Sequence, residues 1–441
     1  MAEKHRVVIL GGGFGGLYAA QALKSAPVDV TVIDKRNYHL FQPLLYQVAT
    51  GSLSPGEIAA PLRGILSAHK NTRVLLGEAV DIDPVAKQIV LKDGAAIPYD
   101  SVIVATGSQG SYFGHDEWHT WAPNLKSIEE ATTIRHKILL AFEAAERTTD
   151  PDERCAWLTF VIVGAGATGV EVAGALGEIA NHTLKHDFRS IQPKDARIIV
   201  VDGGQRVLAT YPEDLSKKAE RQLVKLGSRV RTGVVVTGVD EDGVTLKTKA
   251  GPEHIAAHTV IWAAGVGVSD FARTLAARTG AETDKAGHIK VAPDLTIPKY
   301  PDIFVAGDLA FLIDEKGKPL PGVAQVAMQG GAYAAKAIVR RVKGETGTVK
   351  PFHYFNKGDL AVIGRAAAVA NVFGLHLSGL LAWLVWVFIH VLYLVEFQSR
   401  ILVVIEWGFL YLTYNRGARL ITGTAVNKSL GKAEPLQHLG E

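Results

Sequence analysis

Two clusters of glycine with one spacing define the chemistry open to this chain: Gly11-Gly12-Gly13-Phe14-Gly15-Gly16 and Gly164-Ala165-Gly166-Ala167-Thr168-Gly169. In each, a first glycine permits a tight turn, a second lets backbone approach a ligand, and a third lets a helix pack on a strand. Such a turn suits a diphosphate, because the amides at the start of the following helix present the positive end of a dipole. Asp34 and Asp202 end the next apolar runs, where a carboxylate accepts a hydrogen bond from an adenosine ribose. At Asp202 the negative charge also disfavours a 2′-phosphate and so predicts NADH over NADPH, with Arg206 four residues on leaving room for some NADPH use. Two dinucleotides side by side imply electron transfer between them, with protein side chains mostly orienting the reactants.

The elements that must hold these turns are legible as well. Val7-Val8-Ile9-Leu10 and Phe160-Val161-Ile162-Val163 read as buried strands, each leading through its turn into an alanine-rich helix. Val28 to Ile33 and Ile198 to Val201 are the second strands. Ser101-Val102-Ile103-Val104-Ala105-Thr106-Gly107-Ser108 is mirrored by Thr259-Val260-Ile261-Trp262-Ala263-Ala264-Gly265, closing the repeats 96 and 101 residues after their first glycines. A duplicated domain explains that match. Ile303-Phe304-Val305-Ala306-Gly307-Asp308 has no copy in the second repeat and precedes a helical stretch from about Val323 to Val342. It is expected to return the chain to the first domain. The expected class is therefore α/β, with two Rossmann-like dinucleotide domains, the second inserted in the first, and a C-terminal helical segment. Boundaries fall at residues 1–112 and 286–345 for the first domain, 113–285 for the second, and 346–441 for the remainder.

Composition narrows the possibilities. Cys155 is the only cysteine, so an intramolecular disulfide, a paired-thiol redox centre and a cysteine-rich metal site are excluded. No cluster has metal-ligand spacing. The net charge of +3 is unevenly placed, with eleven Lys and Arg against six Asp and Glu from Arg340 onward, which points to a membrane surface and not to nucleic acid. Met1 to Arg6 is polar and leads straight into the first strand, leaving no room for a signal peptide, so the body is expected on the cytoplasmic side.

With these residues in view, the chain resembles the two-dinucleotide-binding flavoproteins, and within them the type II (alternative) NADH dehydrogenases, or NADH:quinone oxidoreductases. The group features cover residue 5 to about 340. The family-specific ones are Tyr38-His39-Leu40-Phe41-Gln42-Pro43-Leu44-Leu45-Tyr46-Gln47-Val48-Ala49, Ala324-Gln325-Val326-Ala327-Met328-Gln329 and the C-terminal end. The resemblance implies FAD in the first fold, NADH in the second and Asp308 on the flavin's ribityl chain. It also implies a helix start near Ala324 and Gln325 aimed at the flavin pyrimidine, with residues 38 to 49, Gln42 and Pro43 among them, lining the ring. The candidate cofactor set is completed by Lys35 beside Asp34 and by Ala105, Thr106, Gly107, Ala264, Gly265 and Gly307 in the closing turns. Glu171, in the first turn of the second-domain helix, serves the helix start electrostatically on its own reading. By resemblance it contacts the nicotinamide end. Gln325 and Gln329 share a helix face; unaided, they read equally as solvent-facing amides, and the resemblance places them at a quinone pocket. Lys357 matches a family lysine near that pocket, although a lone lysine is ordinarily a solvated surface group. His39 and His390 could deliver protons, since quinone reduction takes up two.

Leu377 to Val395 is a 19-residue run without a formal charge. At about 1.5 Å per residue it reads as just long enough to span a hydrocarbon core of about 30 Å. Ile401 to Tyr414 carries Glu406 and reads as an interfacial helix. The resemblance implies docking on one leaflet without crossing, at the cytoplasmic side of the cell membrane, where a quinone (menaquinone or ubiquinone) dissolves. It also implies a homodimer. Three rival readings remain: a sulfide:quinone reductase, which the single cysteine argues against; a reductase of a soluble carrier, which needs no apolar C-terminal end; and a non-catalytic redox-sensing scaffold.

Overall fold

A computed structural model describes residues 4–315, 317–345 and 350–422. The chain opens with β1 (His5–Leu10), α1 (Phe14–Ala22), β2 (Val28–Asp34), α2 (Leu45–Ala49), β3 (Thr72–Leu76) and β4 (Ser101–Val104). β1 lies parallel between β2 and β4, and β2 pairs with β3. Their Val and Ile residues are covered on both faces, which is why the runs read as continuously apolar and not alternating.

After Ser108–Gly110 comes the second lobe, with β5 (Thr159–Val163), α3 (Ala167–Glu178), β6 (Arg197–Asp202), β7 (Ser228–Thr232) and β8 (Thr259–Trp262). The spatial order β7-β6-β5-β8 repeats β3-β2-β1-β4 of the first lobe. Val266–Val268 leads back and pairs antiparallel with Ser108–Gly110, so both crossings share one two-stranded neck. β9 (Thr296–Ile297) and β10 (Tyr300–Val305) then extend the first sheet to β9-β10-β4-β1-β2-β3, β10 running parallel to β4. The second lobe is thus inserted in the first, as expected.

α4 (Ala324–Val342) crosses α1 at two glycines. A Cβ on Gly331 would lie 2.0 Å from the Gly15 carbonyl oxygen, so only glycine allows this approach. The chain ends in an antiparallel sheet of β11 (Asp359–Gly364), β12 (Ala367–Val372) and β13 (Leu375–Ser378), followed by α5 (Leu380–Tyr393) and α6 (Phe397–Thr413). β11 packs on α3 at Gly174, whose Cβ would fall 1.7 Å from the Ile363 carbonyl oxygen.

The reading of Leu377 to Val395 as a spanning helix does not hold. Leu377 and Ser378 belong to β13, Gly379 turns the chain at φ +72, and α5 has 14 residues, about 21 Å at the usual rise. No helix of the described residues is long and apolar enough to cross a membrane. α5 and α6 nevertheless present large apolar side chains outward, among them Leu381 (65% exposed), Phe388 (66%), Phe397 (75%) and Leu412 (77%). Residues 423–441 lie outside the described residues.

Candidate functional site

The two glycine turns are near-superimposable in conformation. Gly13 caps α1 at φ −69, ψ −164 and Gly166 caps α3 at φ −71, ψ −174, neither with a side-chain cap. Gly11 (φ +98) and Gly164 (φ +106) make the tight turns, against the Ala105 carbonyl and against the Ala263–Ala264 backbone. Gly16 and Gly169 pack so closely that a Cβ would strike the carbonyl of Gly11 or Gly164 at 1.7 Å and 1.8 Å. A Cβ at Gly13 or Gly166 would meet nothing within 4 Å. Each turn is therefore closed behind and open in front, a bare cradle at an uncapped helix start, and a diphosphate fits it.

The acids repeat too. Asp34 accepts from the Gly12 amide at 2.5 Å and the Arg36 amide at 2.7 Å; Asp202 accepts from Ala165 and Gly204, both at 2.6 Å. Burial raises the Asp34 carboxyl above its usual range, and the two amides pull it partly back.

A cleft of about 840 Å³ runs from the first turn to the C-terminal helices. Gly11, Gly13, Phe14, Gly15, Asp34, Lys35, Gln42 and Pro43 line it from the first lobe, joined by Ala105, Thr106, Gly107, Gly307, Asp308, Ala324 and Gln325. Thr168 and Glu171 reach it from the second lobe, and Lys357 from the segment before β11. Gly16, Gly164, Gly166, Gly169, Asp202, Ala264, Gly265 and Gln329 do not line it. Asp308 accepts from the Ser108 hydroxyl at 2.7 Å. Gly307 (φ +76) leaves little room, since a Cβ there would touch that of Ala327 on α4 at 3.0 Å. α4 starts with Val323 as an uncapped N-cap, so its positive end faces the cleft.

The two glutamine amides are already engaged. Gln325 donates to the Gly358 carbonyl (2.9 Å) and accepts from the Lys357 amide (3.1 Å); Gln329 donates to the Phe355 carbonyl and accepts from its amide, both at 2.9 Å. They strap residues 355–358 along α4 as a neighbouring strand would. Lys357 Nζ donates to the Tyr393 hydroxyl at 2.7 Å, tying that strap to α5. Glu171 is half-buried in the wall of the cleft. Burial holds its carboxyl well above the ordinary range against the opposing pull of the Val362 amide on β11. His390, on α5, lines the cleft; its Nδ1–H donates to the Trp386 carbonyl at 2.7 Å, and burial pushes its pKa down to about 4. His39 is 1% exposed and away from the cleft, where its Nδ1–H donates to the Gly12 carbonyl (3.0 Å) and steadies the turn.

Residues 5–331 match the pyridine nucleotide-disulphide oxidoreductase family. The type II NADH:quinone oxidoreductase NdhA of Mycobacterium tuberculosis is 48% identical over 430 residues, covering 96% of this chain and 90% of that protein. The chain belongs to the type II NADH:quinone oxidoreductases. Ndh of the same organism is 45% identical, over 95% of this chain and 91% of its own length. A solved structure of NDH2 from Plasmodium falciparum in complex with NADH superposes with a TM-score of 0.84 over 94% of this chain and 99% of the other; at 21% identity it shows the fold. The sulfide:quinone oxidoreductase of Aquifex aeolicus is more distant, at 0.67 and 17%.

FAD and NADH are the cofactors of this oxidoreductase, and the two cradles fit them. Of the run from residue 38 to 49 expected beside the ring, Tyr38, Leu40, Phe41, Gln42, Pro43, Leu45 and Tyr46 line the cleft and the others do not. Sequence reasoning passed over Ser108, which directly follows Gly107, and Lys126, Tyr211, Phe271 and Tyr393 as site residues. Nothing in the sequence around Tyr211 or Lys126 marks them.

Proposed function

We propose that this oxidoreductase seats FAD on the first turn and in the cleft, takes a hydride from NADH held on the second turn, and passes two electrons to a membrane quinone without pumping protons. The supporting observation is that one cleft is lined at once by the Gly11–Gly16 turn, by Thr168 and Glu171 of the second lobe, and by Val385, Ile389, His390 and Tyr393 of the outward-apolar helix pair. FAD, once bound, supplies the hydride acceptor and the two-electron donor.

The side chains bind and orient. The α1 start holds the FAD diphosphate, Asp34 its adenosine ribose and Asp308 its ribityl hydroxyls, with Lys35, Gln42, Pro43 and the residues around Ala105–Gly107 and Gly307 enclosing it. The α4 start, at Ala324 and Gln325, favours negative charge at the pyrimidine end. In the second lobe Gly164, Gly166, Thr168 and Gly169 hold the NADH diphosphate, Asp202 its ribose, and Ala264 and Gly265 its flank. Glu171 orients the nicotinamide. On the acceptor side Gln325 and Lys357 border the quinone, and Gln329 sets the strap that carries Lys357. The apolar faces of α5 and α6 rest on one leaflet, on the cytoplasmic side, where a quinone enters from lipid. The domain boundaries at 112, 285 and 345 and the homodimer complete the reading.

Purified protein in detergent is expected to oxidise NADH rapidly only with a short-chain quinone present. Gln325→Ala should slow quinone reduction with flavin reduction by NADH intact; an unchanged quinone rate removes Gln325 from the acceptor side.

A further inference from the structure

Residues 203–211 join the acid at the end of β6 to the helix Glu213–Lys225 without regular structure of their own. They also join the two ends of the second nucleotide site. Asp202 stands at one end, and Tyr211, 8% exposed, lines the cleft with Thr168 and Glu171 at the other. Burial and the neighbouring carboxyls of Glu171 and Asp359 hold the Tyr211 phenol above its ordinary range, so it stays a neutral O–H group. Among the described residues none bonds that hydroxyl.

One cation holds the segment together. Arg206 Nη1 donates to the carbonyls of Tyr211 (2.8 Å) and Leu208 (3.5 Å), and Nη2 donates to that of Ala209 (2.6 Å). Leu208, 1% exposed, takes φ +48, a left-handed conformation that a bulky residue keeps only where its surroundings impose it. Its amide donates to the Ala165 carbonyl of the glycine turn, and its carbonyl accepts from the Tyr211 amide, both at 2.8 Å. Ser216 of the following helix donates to the Val207 carbonyl at 2.6 Å. Glycine turn, acid and segment thereby form one closed circuit, because Ala165 and Gly204 both donate to Asp202.

The sequence leaves Arg206 free to meet a 2′-phosphate, whereas the fold commits it to the carbonyls of one turn. We propose that Arg206 is a positioning residue for the nicotinamide end of NADH, fixing the 208–211 turn so that the Tyr211 hydroxyl bonds the nicotinamide carboxamide beside Glu171. The inference rests on the reading above that NADH binds on the second turn. A carboxamide offers an acceptor oxygen and two donor hydrogens, and a phenol O–H can serve either. A guanidinium suits the clamp because its donors stand in a rigid fork, where an ammonium is a single point of charge. Arg206 is the one cation of residues 203–211, so with its donors occupied the segment offers the adenosine ribose no positive group, and a 2′-phosphate there meets only Asp202.

Tyr211→Phe keeps the ring and removes the hydroxyl. Titration calorimetry of this holoprotein should show NAD+ bound about tenfold more weakly, as expected for one lost hydrogen bond, and ADP-ribose, which lacks the nicotinamide, bound as before. Arg206→Gln should give the same split between the two ligands. Added to Tyr211→Phe it should weaken NAD+ no further, because it acts through Tyr211. Unaltered NAD+ affinity in Tyr211→Phe overturns the inference, as do additive losses in the double variant or equal weakening of NAD+ and ADP-ribose by either change. Flavin bleaching at saturating NADH should slow in both variants, since a misplaced nicotinamide reacts less often; an unslowed rate also counts against the clamp. In Asp202→Ser protein, whatever NADPH use is gained should survive Arg206→Gln, and its loss would hand Arg206 to the phosphate. An unaltered protein that binds neither NAD+ nor ADP-ribose sinks the reading of the second turn itself, a distinct result.

Discussion

The two glycine turns share backbone angles and carboxylate partners, yet the helices behind them are covered by different parts of the chain. α1 lies under α4, which returns from the far end of the first lobe and carries Gln325 and Gln329. α3 lies under β11 of the C-terminal sheet, which brings the Val362 amide to Glu171 and the Arg365 amide to Glu178. One cradle has thus been closed by a helix whose positive end favours a reduced, negatively charged ring, and its copy by a strand that ties it to the outward-apolar helices. The first arrangement suits a resident cofactor. The second suits a nucleotide that arrives, reacts and leaves.

Steric substitution at the two crossings offers the strongest way to break the contrast. Gly331→Val would drive α4 off α1, costing about 3 kcal/mol and emptying the first lobe of flavin. Gly174→Val should instead displace β11 and impair quinone reduction with flavin retained. Flavin absorbance per protein separates them, and equal loss in both would erase the distinction between the lobes. Next in size, Asp308→Ala removes a charged acceptor from the cleft and should weaken flavin retention by about 2 kcal/mol, with KM for NADH little changed. A rise in that KM at full flavin content would put Asp308 on the wrong nucleotide.

A fourth substitution addresses the element that belongs to neither lobe. His390 is expected near pKa 4 in the folded protein against about 6.5 unfolded, so between those values the unfolded chain takes up the proton and stability falls as pH drops. At pH 5.5 this amounts to about 1.4 kcal/mol, fully recovered above pH 6.5. His390→Gln should flatten that part of the urea-denaturation profile; an unaltered slope would show that the imidazole is not buried on α5. Of similar size is Asp202→Ser, which should raise NADPH use relative to NADH by about tenfold, or 1.4 kcal/mol, whereas the equivalent change at Asp34 should leave the nucleotide preference alone.

Much of this contrast could be read from residues. Glycine spacing, the acids at 34 and 202 and the strand at Ile303–Val305 announced a duplicated, interrupted architecture because each is a local requirement of backbone geometry. What escaped was non-local. Gln325 and Gln329 look like two free amides on one helix face, and only the fold shows them strapping Phe355–Gly358, a partner with no periodic signature. The uncharged run from Leu377 was divided by Gly379 at positive φ, a single residue that hydropathy averages away. Arg416 folds back onto Glu178, 238 positions earlier, a pairing no spacing rule anticipates.

The central claim is that one flavin, wedged between the lobes, is filled from the second and emptied toward the apolar helices. Anaerobic stopped flow of the holoprotein tests it most directly. NADH alone should bleach the flavin absorbance within a turnover time, and a lipid-soluble short-chain quinone added afterwards should restore it stoichiometrically. Flavin that stays oxidised with NADH, or stays bleached in the presence of quinone, would contradict the account.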